Sequence, residues 1–144
     1  MSITYRNAER YPDPTAFQAL TNIENEEKAQ RRFMPLVYIC SPYAGDTEHN
    51  TAAARRYCRF AVDQGCIPFA PHLLYPQFLN DRDPADRSNG LFFCKVLMDK
   101  CTAVWVFGNY ISSGMSEEIE RAKRKGYPIR YFSADLEEQN EPRI

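Results

Sequence analysis

The stretch Gly114-Met115-Ser116-Glu117-Glu118-Ile119-Glu120-Arg121-Ala122 directly follows an apolar segment that is typical of a β-strand. At about 100° of rotation per residue, its apolar positions form one face of a helix: Met115, Ile119 and Ala122. Glu117 and Glu120 point away from that face, and each has an arginine four residues on with which it can pair. Glu118 has Ala122 at that spacing and lies at the edge of the apolar face. We therefore expect one carboxylate to face a cleft at the end of a strand.

Two interpretations of Glu118 are open at this point. Acidic side chains in the first turn of a helix complement the positive end of the helix dipole, and most such residues have no other role. An acid at the edge of a buried face is also a candidate functional group, because burial shifts the pKa of a carboxyl group. The rest of the chain has to decide between the two.

The composition favours one small domain that binds a small molecule. The chain has 144 residues, of which 44% are hydrophobic, and this is enough for one core. Its net charge is -1 with acids and bases interleaved, so we expect no nucleic-acid partner and no membrane binding. No apolar run reaches the roughly 20 residues that span a bilayer, and the polar N-terminus does not resemble a signal peptide. These features predict a cytoplasmic protein.

The cysteines and histidines predict neither a metal site nor another cofactor. The five cysteines have no CxxC spacing, and most lie in apolar stretches, where a thiol behaves as a small hydrophobic group. Only His49 and His72 are available to add to them. A zinc site is therefore not expected.

The order of apolar segments predicts an α/β domain with a helical arm before it and an acidic tail after it. Strands are predicted at residues 36–40, 66–70, 103–108 and 128–132, and helices at 14–32, 47–64, 87–100 and 114–125. Residues 71–86 are predicted to form a long ordered loop. Strands that alternate with helices predict a three-layer flavodoxin-like or Rossmann-like fold with a mostly parallel four-strand sheet. The arm spans residues 1–33, the domain 34–134 and the tail 135–144.

A ligand site is expected beyond the carboxyl ends of the strands, where ligands of such sheets bind. Three segments converge there: residues 41–46, 71–75 and 109–118. The first, Ser41-Pro42-Tyr43-Ala44-Gly45, lacks the GxGxxG and GKS/T patterns, so a usual dinucleotide site or a nucleoside triphosphatase is not expected. Its small residues either present backbone N–H groups to an anion or only form a tight turn. If strand 36–40 is central, the Tyr38 hydroxyl can hydrogen-bond Glu118.

Several motifs together resemble one family. They are Val37-Tyr38-Ile39-Cys40-Ser41-Pro42-Tyr43, Val104-Trp105-Val106-Phe107-Gly108, and Gly114-Met115 followed by Glu118 and Ala122. Over residues 35–132 or so, the chain is similar to the nucleoside 2-deoxyribosyltransferase-like superfamily. The segments Ser41 to Gly45, Ala70-Pro71-His72 and Ile111-Ser112-x-Gly114-Met115 more closely resemble an uncharacterised branch found in bacteria and their phages.

The resemblance implies an N-glycosidic enzyme that acts on a nucleoside or nucleotide, either a deoxyribosyltransferase or a hydrolase. Glu118 matches the nucleophile that attacks the anomeric carbon, and Tyr38 matches the tyrosine that orients it. The other residues expected around the substrate are Ser41, Pro42, Tyr43, Gly45, Asp46, His72, Arg87, Gly108, Ser112, Gly114 and Met115. No cofactor is implied.

A second acid, which would protonate the leaving base, is missing from the positions where the resemblance places it. Ser112 stands six residues before the nucleophile position, and Cys94 falls near the position of a further family aspartate. Asp99, Asp46 and His72 are the other proton donors near the crevice in sequence. The absence of both acids leaves a second interpretation open: a non-catalytic module that senses or sequesters a nucleotide or a nucleotide-derived signal.

The N-terminal arm leads us to predict that copies of this chain assemble with one another. Its helix at 14–32 has few apolar positions, and short isolated helices are marginal in water, so its order has to come from packing. We expect a homo-oligomer, which the resemblance also implies. The alternative is an arm that folds back on its own domain.

Overall fold

The chain divides into two units, and the computed structural model describes residues 14–32 and 34–142 of it. The first unit contains helix α1 (Pro14–Arg32), over the residues that the sequence predicts. The cap predicted at Asp13 lies outside the described residues. The second unit begins at Pro35 and contains the sheet.

The second unit is built on a five-strand sheet. Its strands are β1 (Leu36–Cys40), β2 (Ile67–Phe69), β3 (Ala103–Phe107), β4 (Ile129–Phe132) and β5 (Glu138–Gln139). They lie in the order β2-β1-β3-β4-β5, with β1 to β4 parallel and β5 antiparallel to β4. This is the strand order of the flavodoxin-like fold. The predicted fold class is confirmed, with β1 and β3 inside the sheet.

Helices connect the parallel strands. They are α2 (Thr47–Asp63), α3 (Pro71–Leu74) with a 3₁₀ turn at Tyr75–Gln77, α4 (Pro84–Met98) and α5 (Ser113–Lys125). The last of these ends at Gly126, whose φ of 76° is the left-handed conformation that glycine adopts readily. Within residues 14–32 and 34–142, no helix combines the length and apolar character needed to cross a bilayer.

Three elements differ from the sequence prediction. Residues 71–86, predicted as one long ordered loop, contain α3, the 3₁₀ turn and the start of α4. Helix α4 starts at Pro84 rather than Arg87, because Asp83 accepts a hydrogen bond from the Ala85 N–H and proline suits the first helical position. The predicted tail contributes β5, which makes five strands instead of four. The Arg130 guanidinium pairs with Glu138 at 2.7 Å across the β4–β5 ladder.

The sheet has a separate hydrophobic cluster on each face. The α2 face contains Val37, Ile39, Ala53, Tyr57, Ala61, Cys66, Ala70, Trp105, Phe107 and Phe132. The α5 face contains Tyr38, Cys40, Met98, Cys101, Val104, Val106, Met115, Ile119, Ala122 and Tyr131. Because side chains alternate along a strand, Tyr38 and Cys40 of β1 share the α5 face. This alternation places both next to the helix that carries Glu118.

Candidate active site

Glu118 lies on the flank of α5 that faces β1. Helix α5 packs over β1, β3 and β4, and its buried side chains are the three predicted ones: Met115, Ile119 and Ala122. Glu118 Oε2 is buried and has no hydrogen-bond partner among the described residues. The Tyr38 hydroxyl is also buried and also has no hydrogen-bond partner among the described residues, and Tyr38 as a whole is 0% exposed. A buried carboxyl group and a buried phenol therefore share one site, and the phenol lies close enough to lower the pKa of Glu118 although it makes no hydrogen bond of ordinary geometry.

The pKa of Glu118 is raised from its ordinary value of 4.5 to about 7. Burial is the main cause, because an ionised carboxylate loses its hydration there. The thiol of Cys40 and the phenol of Tyr38 lie close enough to oppose this shift, and the charge of Glu117 adds to it. Near neutral pH the Glu118 carboxyl therefore exists in both protonation states.

Two thiols complete the surroundings of Glu118. Cys40 follows Tyr38 by two positions on β1, and its Sγ donates to the Met115 carbonyl at 3.9 Å. Cys94 reaches the Tyr38 hydroxyl from α4, and burial raises the pKa of its thiol to about 11. The sequence interpretation treated Cys40 as a small hydrophobic group and placed Cys94 near the position of a family aspartate. Strand alternation was the available signal for Cys40, since it places that residue on the same face as Tyr38.

The loop after β1 packs against the loop after β3. Ser41 and Pro42 are buried, and a Cβ added to Gly108 would lie 3.4 Å from Pro42 Cδ. Gly108 also has a φ of 117°, which other residues rarely adopt. The structure thus brings Ser41, Pro42 and Gly108 together at the carboxyl ends of the two central strands.

The outer part of the same loop meets α3. The Tyr43 ring stacks on the His72 ring, with centroids 4.8 Å apart and an interplanar angle of 9°. Burial lowers the pKa of His72, so its imidazole is neutral near pH 7. Asn50, which the sequence interpretation did not select, holds the loop by donating to the Tyr43 and Ala44 carbonyls at 3.0 and 3.2 Å.

Three other residues that the sequence places around the substrate do not join this group: Gly45, Asp46 and Arg87. Gly45 is exposed with a φ of 96°, and Asp46 caps α2 by accepting from the His49 N–H at 3.1 Å. Arg87 lies exposed in the first turns of α4.

At the start of α5, Ser112 is the N-cap and its Oγ accepts from the Met115 N–H at 3.3 Å. Gly114 follows in the exposed first turn. Met115 itself is 2% exposed and belongs to the core, so it supports the site rather than lining it.

The candidate general acids do not gather around Glu118. Asp99 accepts hydrogen bonds from Tyr127 and Arg121, which hold the pKa of its carboxyl below the ordinary value. Asp46 is occupied as a helix cap, and His72 stacks on Tyr43. The groups that shift the pKa of Glu118 are Cys40, Tyr38 and Glu117, and none of the three candidates is among them.

Neither of the two ion pairs that the spacing within α5 allows, Glu117 with Arg121 and Glu120 with Arg124, forms in the described part of the chain. Arg121 does not pair with Glu117 four residues earlier in α5; its Nη2 instead contacts Asp99 Oδ2 at 2.9 Å. Asp99 ends α4, so this contact ties α4 to α5 across the site. The helical spacing allows the pair with Glu117, but the packing of the two helices brings a closer carboxylate.

The arrangement is suited to chemistry at an electrophilic carbon. An ionised carboxylate can act as a nucleophile or a proton acceptor, and the phenol and thiols around Glu118 are neutral donors. In the described part of the chain, no three side chains among His, Cys, Asp and Glu come together as metal ligands would.

Known proteins match this chain in fold and in family. The structure is similar to one solved in work titled as the characterisation of a 2-deoxyribosyltransferase from the psychrotolerant bacterium Bacillus psychrosaccharolyticus, with a TM-score of 0.58 and 18% identity. The match covers 76% of this chain and 77% of that one, and it confirms the expected fold. No curated protein matches the sequence. A sequence profile matches residues 35–132, which contain β1 to β4 and Glu118, and the chain therefore belongs to the family described as Domain of unknown function (DUF7768).

Proposed function

We propose that the protein is an N-glycosidic enzyme that acts on a nucleoside or a nucleotide, with Glu118 as its nucleophile. The observation that carries this proposal is the buried, unpartnered Oε2 of Glu118 beside the Tyr38 hydroxyl, at the carboxyl ends of β1 and β3. Because Oε2 makes no hydrogen bond within the protein, we infer that it is kept for a ligand. The similarity in fold to a protein whose title names it a 2-deoxyribosyltransferase supports the choice of substrate class.

The proposed reaction has two steps. An oxygen of ionised Glu118 attacks the anomeric carbon, the C–N bond breaks, and the base leaves with the bonding electrons. Water or a second base then attacks the same carbon, and the ester bond to Glu118 breaks. Tyr38 orients the carboxylate, while Ser41, Pro42 and Gly108 shape the sugar side of the site. Acceptance of water makes the protein a hydrolase, and acceptance of a base makes it a transferase.

Among the described residues, none of the three candidate proton donors, Asp99, Asp46 and His72, lies beside Glu118, and this has a consequence for the substrate. A neutral base leaves as an anion unless a proton donor assists it. A base that carries a positive charge, such as 7-methylguanine in its nucleoside, leaves as a neutral molecule and needs no proton. We therefore expect substrates with such a leaving group to react fastest.

The test is a comparison of base release from 2′-deoxyguanosine and 2′-deoxy-7-methylguanosine, followed by chromatography. We expect release from the methylated substrate in the wild-type protein, and a decrease of about 10³-fold or more in Glu118→Gln, because removing a nucleophile leaves only binding effects. Glu117→Gln is the matched control and should keep the activity, since Glu117 is the exposed neighbour. Acid-quenched samples should contain the glycosyl ester, seen as added mass on the intact protein.

The rate should also follow the ionisation of Glu118. Because its pKa is about 7, the value of kcat/KM should rise as the pH increases through 7, when the carboxylate becomes fully ionised. No release above the rate in buffer from either substrate, or equal release by Glu118→Gln, would exclude Glu118 as the nucleophile.

A second candidate function is a module that binds a nucleotide, or a signal derived from one, without turning it over. It is favoured by Ser112, which acts as a helix cap, and by Cys94, which contacts Tyr38, at the two positions where acids were expected. Calorimetry with nucleosides and nucleotides should then show saturable binding, and chromatography should recover the ligand intact. Consumption of the ligand would exclude this candidate.

We also propose that copies of this chain associate with one another. The surface around α4 exposes several large apolar side chains: Leu74, Phe78, Leu91, Phe92 and Val96 are between 40% and 62% exposed. Exposed apolar patches of this kind are typical of protein interfaces. Light scattering on the full chain should give a mass above the 16.7 kDa of one chain, and a Phe92→Ser variant should lower it.

A further inference from the structure

A cavity of about 570 Å³ opens beyond the carboxyl ends of β3 and β4, on the side of α5 away from Glu118. Its walls come from the β3–α5 loop, the first turns of α5, and the ends of β4 and β5. Ser116 lines it, whereas Glu118, Tyr38, Cys40 and Cys94 do not. Two positions along a helix correspond to about 200° of rotation, so Ser116 and Glu118 leave α5 on opposite flanks. The cavity therefore lies on the flank of α5 opposite Glu118, and it shares only Gly108 and Ser112 with the residues expected around the candidate active site.

Tyr131 gives the cavity a buried polar group that lacks a partner. The residue lines the cavity and is 7% exposed, and its hydroxyl has no hydrogen-bond partner among residues 34–142. Burial and the nearby Glu141 carboxylate raise the pKa of this phenol to about 12. Glu141 pairs with Lys123, and its carboxylate lies near the phenol without a hydrogen bond of ordinary geometry. A buried donor without an acceptor is destabilising, and a ligand in the cavity can supply the acceptor.

The other polar groups of the cavity are hydroxyls and amides. Asn109 Oδ1 accepts from the Ala134 N–H at 3.3 Å, which orients the side chain and leaves its NH₂ group as a donor. Ser116 and Asn140 add a hydroxyl and a second amide, and the half-exposed Tyr110 adds an aromatic ring. In the described part of the chain, no Lys, Arg, His, Asp or Glu side chain lines the cavity.

We propose that this cavity is a second ligand site and that it binds an uncharged, hydroxyl-bearing ligand of about nucleoside size. Its volume is within the range of roughly 300–1,000 Å³ that is typical of small-molecule sites. A phosphate group would enter without any cationic side chain to pair with, and Glu141 stands next to Tyr131. Neutral hydroxyl and carbonyl groups match the amides and hydroxyls of the wall, and Tyr131 donates to one of them.

The test uses amide NMR spectra of the full-length chain, titrated with nucleosides, with their 5′-monophosphates and with ribose. The reporters are the side-chain NH₂ signals of Asn109 and Asn140 and the backbone amides of residues 113–116. We expect nucleosides to shift these signals saturably, and more strongly than their monophosphates do. The Glu118→Gln protein should give the same titration, because the ligand does not contact that side chain.

Substitutions of residues that line the cavity test whether the ligand binds there. Ser116 is exposed, so Ser116→Phe can fill the mouth of the cavity without disturbing the core, and we expect it to weaken binding by about tenfold or more. Tyr131→Phe keeps the ring and should weaken binding by roughly three- to tenfold, as expected for one lost hydrogen bond. Tyr57→Phe, which removes a phenol from the α2 face, is the matched control and should bind as the wild type does.

Four results would overturn the proposal. The first is that no probe moves the reporter signals. The second is that the monophosphates bind more tightly than the nucleosides, which would make this an anion site. The third is that Tyr131→Phe and Ser116→Phe bind as well as the wild type. The fourth is that binding disappears in Glu118→Gln, which would place the ligand in the candidate active site.

Discussion

On the α2 face of the sheet, aromatic rings pack directly on one another, whereas the α5 face contains buried polar atoms that have no partner. The Phe107 ring stacks on Tyr57 with centroids 4.5 Å apart and on Phe132 at 5.0 Å. In the described residues, the buried side-chain atoms without a hydrogen bond are Tyr38 Oη, Glu118 Oε2, Arg121 Nε and Tyr131 Oη. All four belong to α5 or to side chains that face it.

The difference separates a face that stabilises the domain from a face whose buried polar atoms are open to a ligand. Burial of aromatic rings gains free energy from area and from ring geometry. Buried polar atoms without partners lower the free energy of unfolding, and proteins keep such strain mainly where a ligand relieves it. The α2 face is therefore the stable support for a less stable, functional α5 face.

The largest effect is expected from Phe107→Ala, which removes the ring at the centre of the α2 face. Loss of a buried phenyl group and the cavity that it leaves should lower the free energy of unfolding by about 3–5 kcal/mol. Urea denaturation followed by circular dichroism measures this. Val62→Ala is the control, and because Val62 is 44% exposed, we expect a change within about 0.5 kcal/mol. Equal effects of the two substitutions would contradict the assignment of the α2 face as the support.

The second effect is a pH dependence from Glu118. Its folded-state pKa of about 7 exceeds the ordinary value of 4.5, so the folded protein holds this proton more tightly than the unfolded chain. The stability from the protonated group is fully present below pH 4.5 and is lost as the pH rises through 7. Glu118→Gln should therefore raise the free energy of unfolding by about 1–3 kcal/mol at pH 8 and change it little at pH 4.

Urea midpoints across this pH range measure the effect of Glu118→Gln. The Glu117→Gln protein, altered at the exposed neighbour, should keep the pH dependence of the wild type. A stability difference between Glu118→Gln and the wild type that does not change with pH would show that Glu118 is not a buried carboxyl group.

The third effect concerns Asn50, a buried amide on the α2 side whose NH₂ group has both its acceptors. Asn50→Ala leaves the Tyr43 and Ala44 carbonyls without this donor, so we expect a loss of about 1–2 kcal/mol in the free energy of unfolding. The exposed Asn89→Ala substitution is the control and should be nearly neutral. A neutral Asn50→Ala would mean that the loop after β1 does not depend on this amide.

The smallest effect is expected from Tyr131→Phe in the absence of ligand, and its sign is opposite to that of Asn50→Ala. The substitution removes a buried hydroxyl that has no partner, so the free energy of unfolding should rise by roughly 0.5–1 kcal/mol. Tyr127→Phe removes a hydroxyl that donates to Asp99 at 2.9 Å and should lower stability instead. Both are measured by thermal and urea denaturation, and a destabilised Tyr131→Phe would indicate a partner for that hydroxyl.

Local patterns in the sequence were sufficient to predict the fold class. Short apolar runs alternating with helical periods predict a parallel sheet, because each pattern reports which faces of an element are buried. The short strand β5 could not be predicted, since Glu138 and Gln139 are polar and exposed and carry no periodic signal. Its pairing depends on a neighbouring strand and on Arg130, which are tertiary contacts.

The sequence by itself determined that Glu118 stands at the edge of an apolar helix face, because helical periodicity fixes its angle relative to Met115 and Ala122. Only the tertiary structure decided that Cys40 and Cys94 adjoin it, that Asp99 binds Arg121, and that Tyr131 faces a cavity. Periodicity reports the direction of a side chain from its own element. Which residue meets it there depends on how elements distant in the chain pack, and that information is not local.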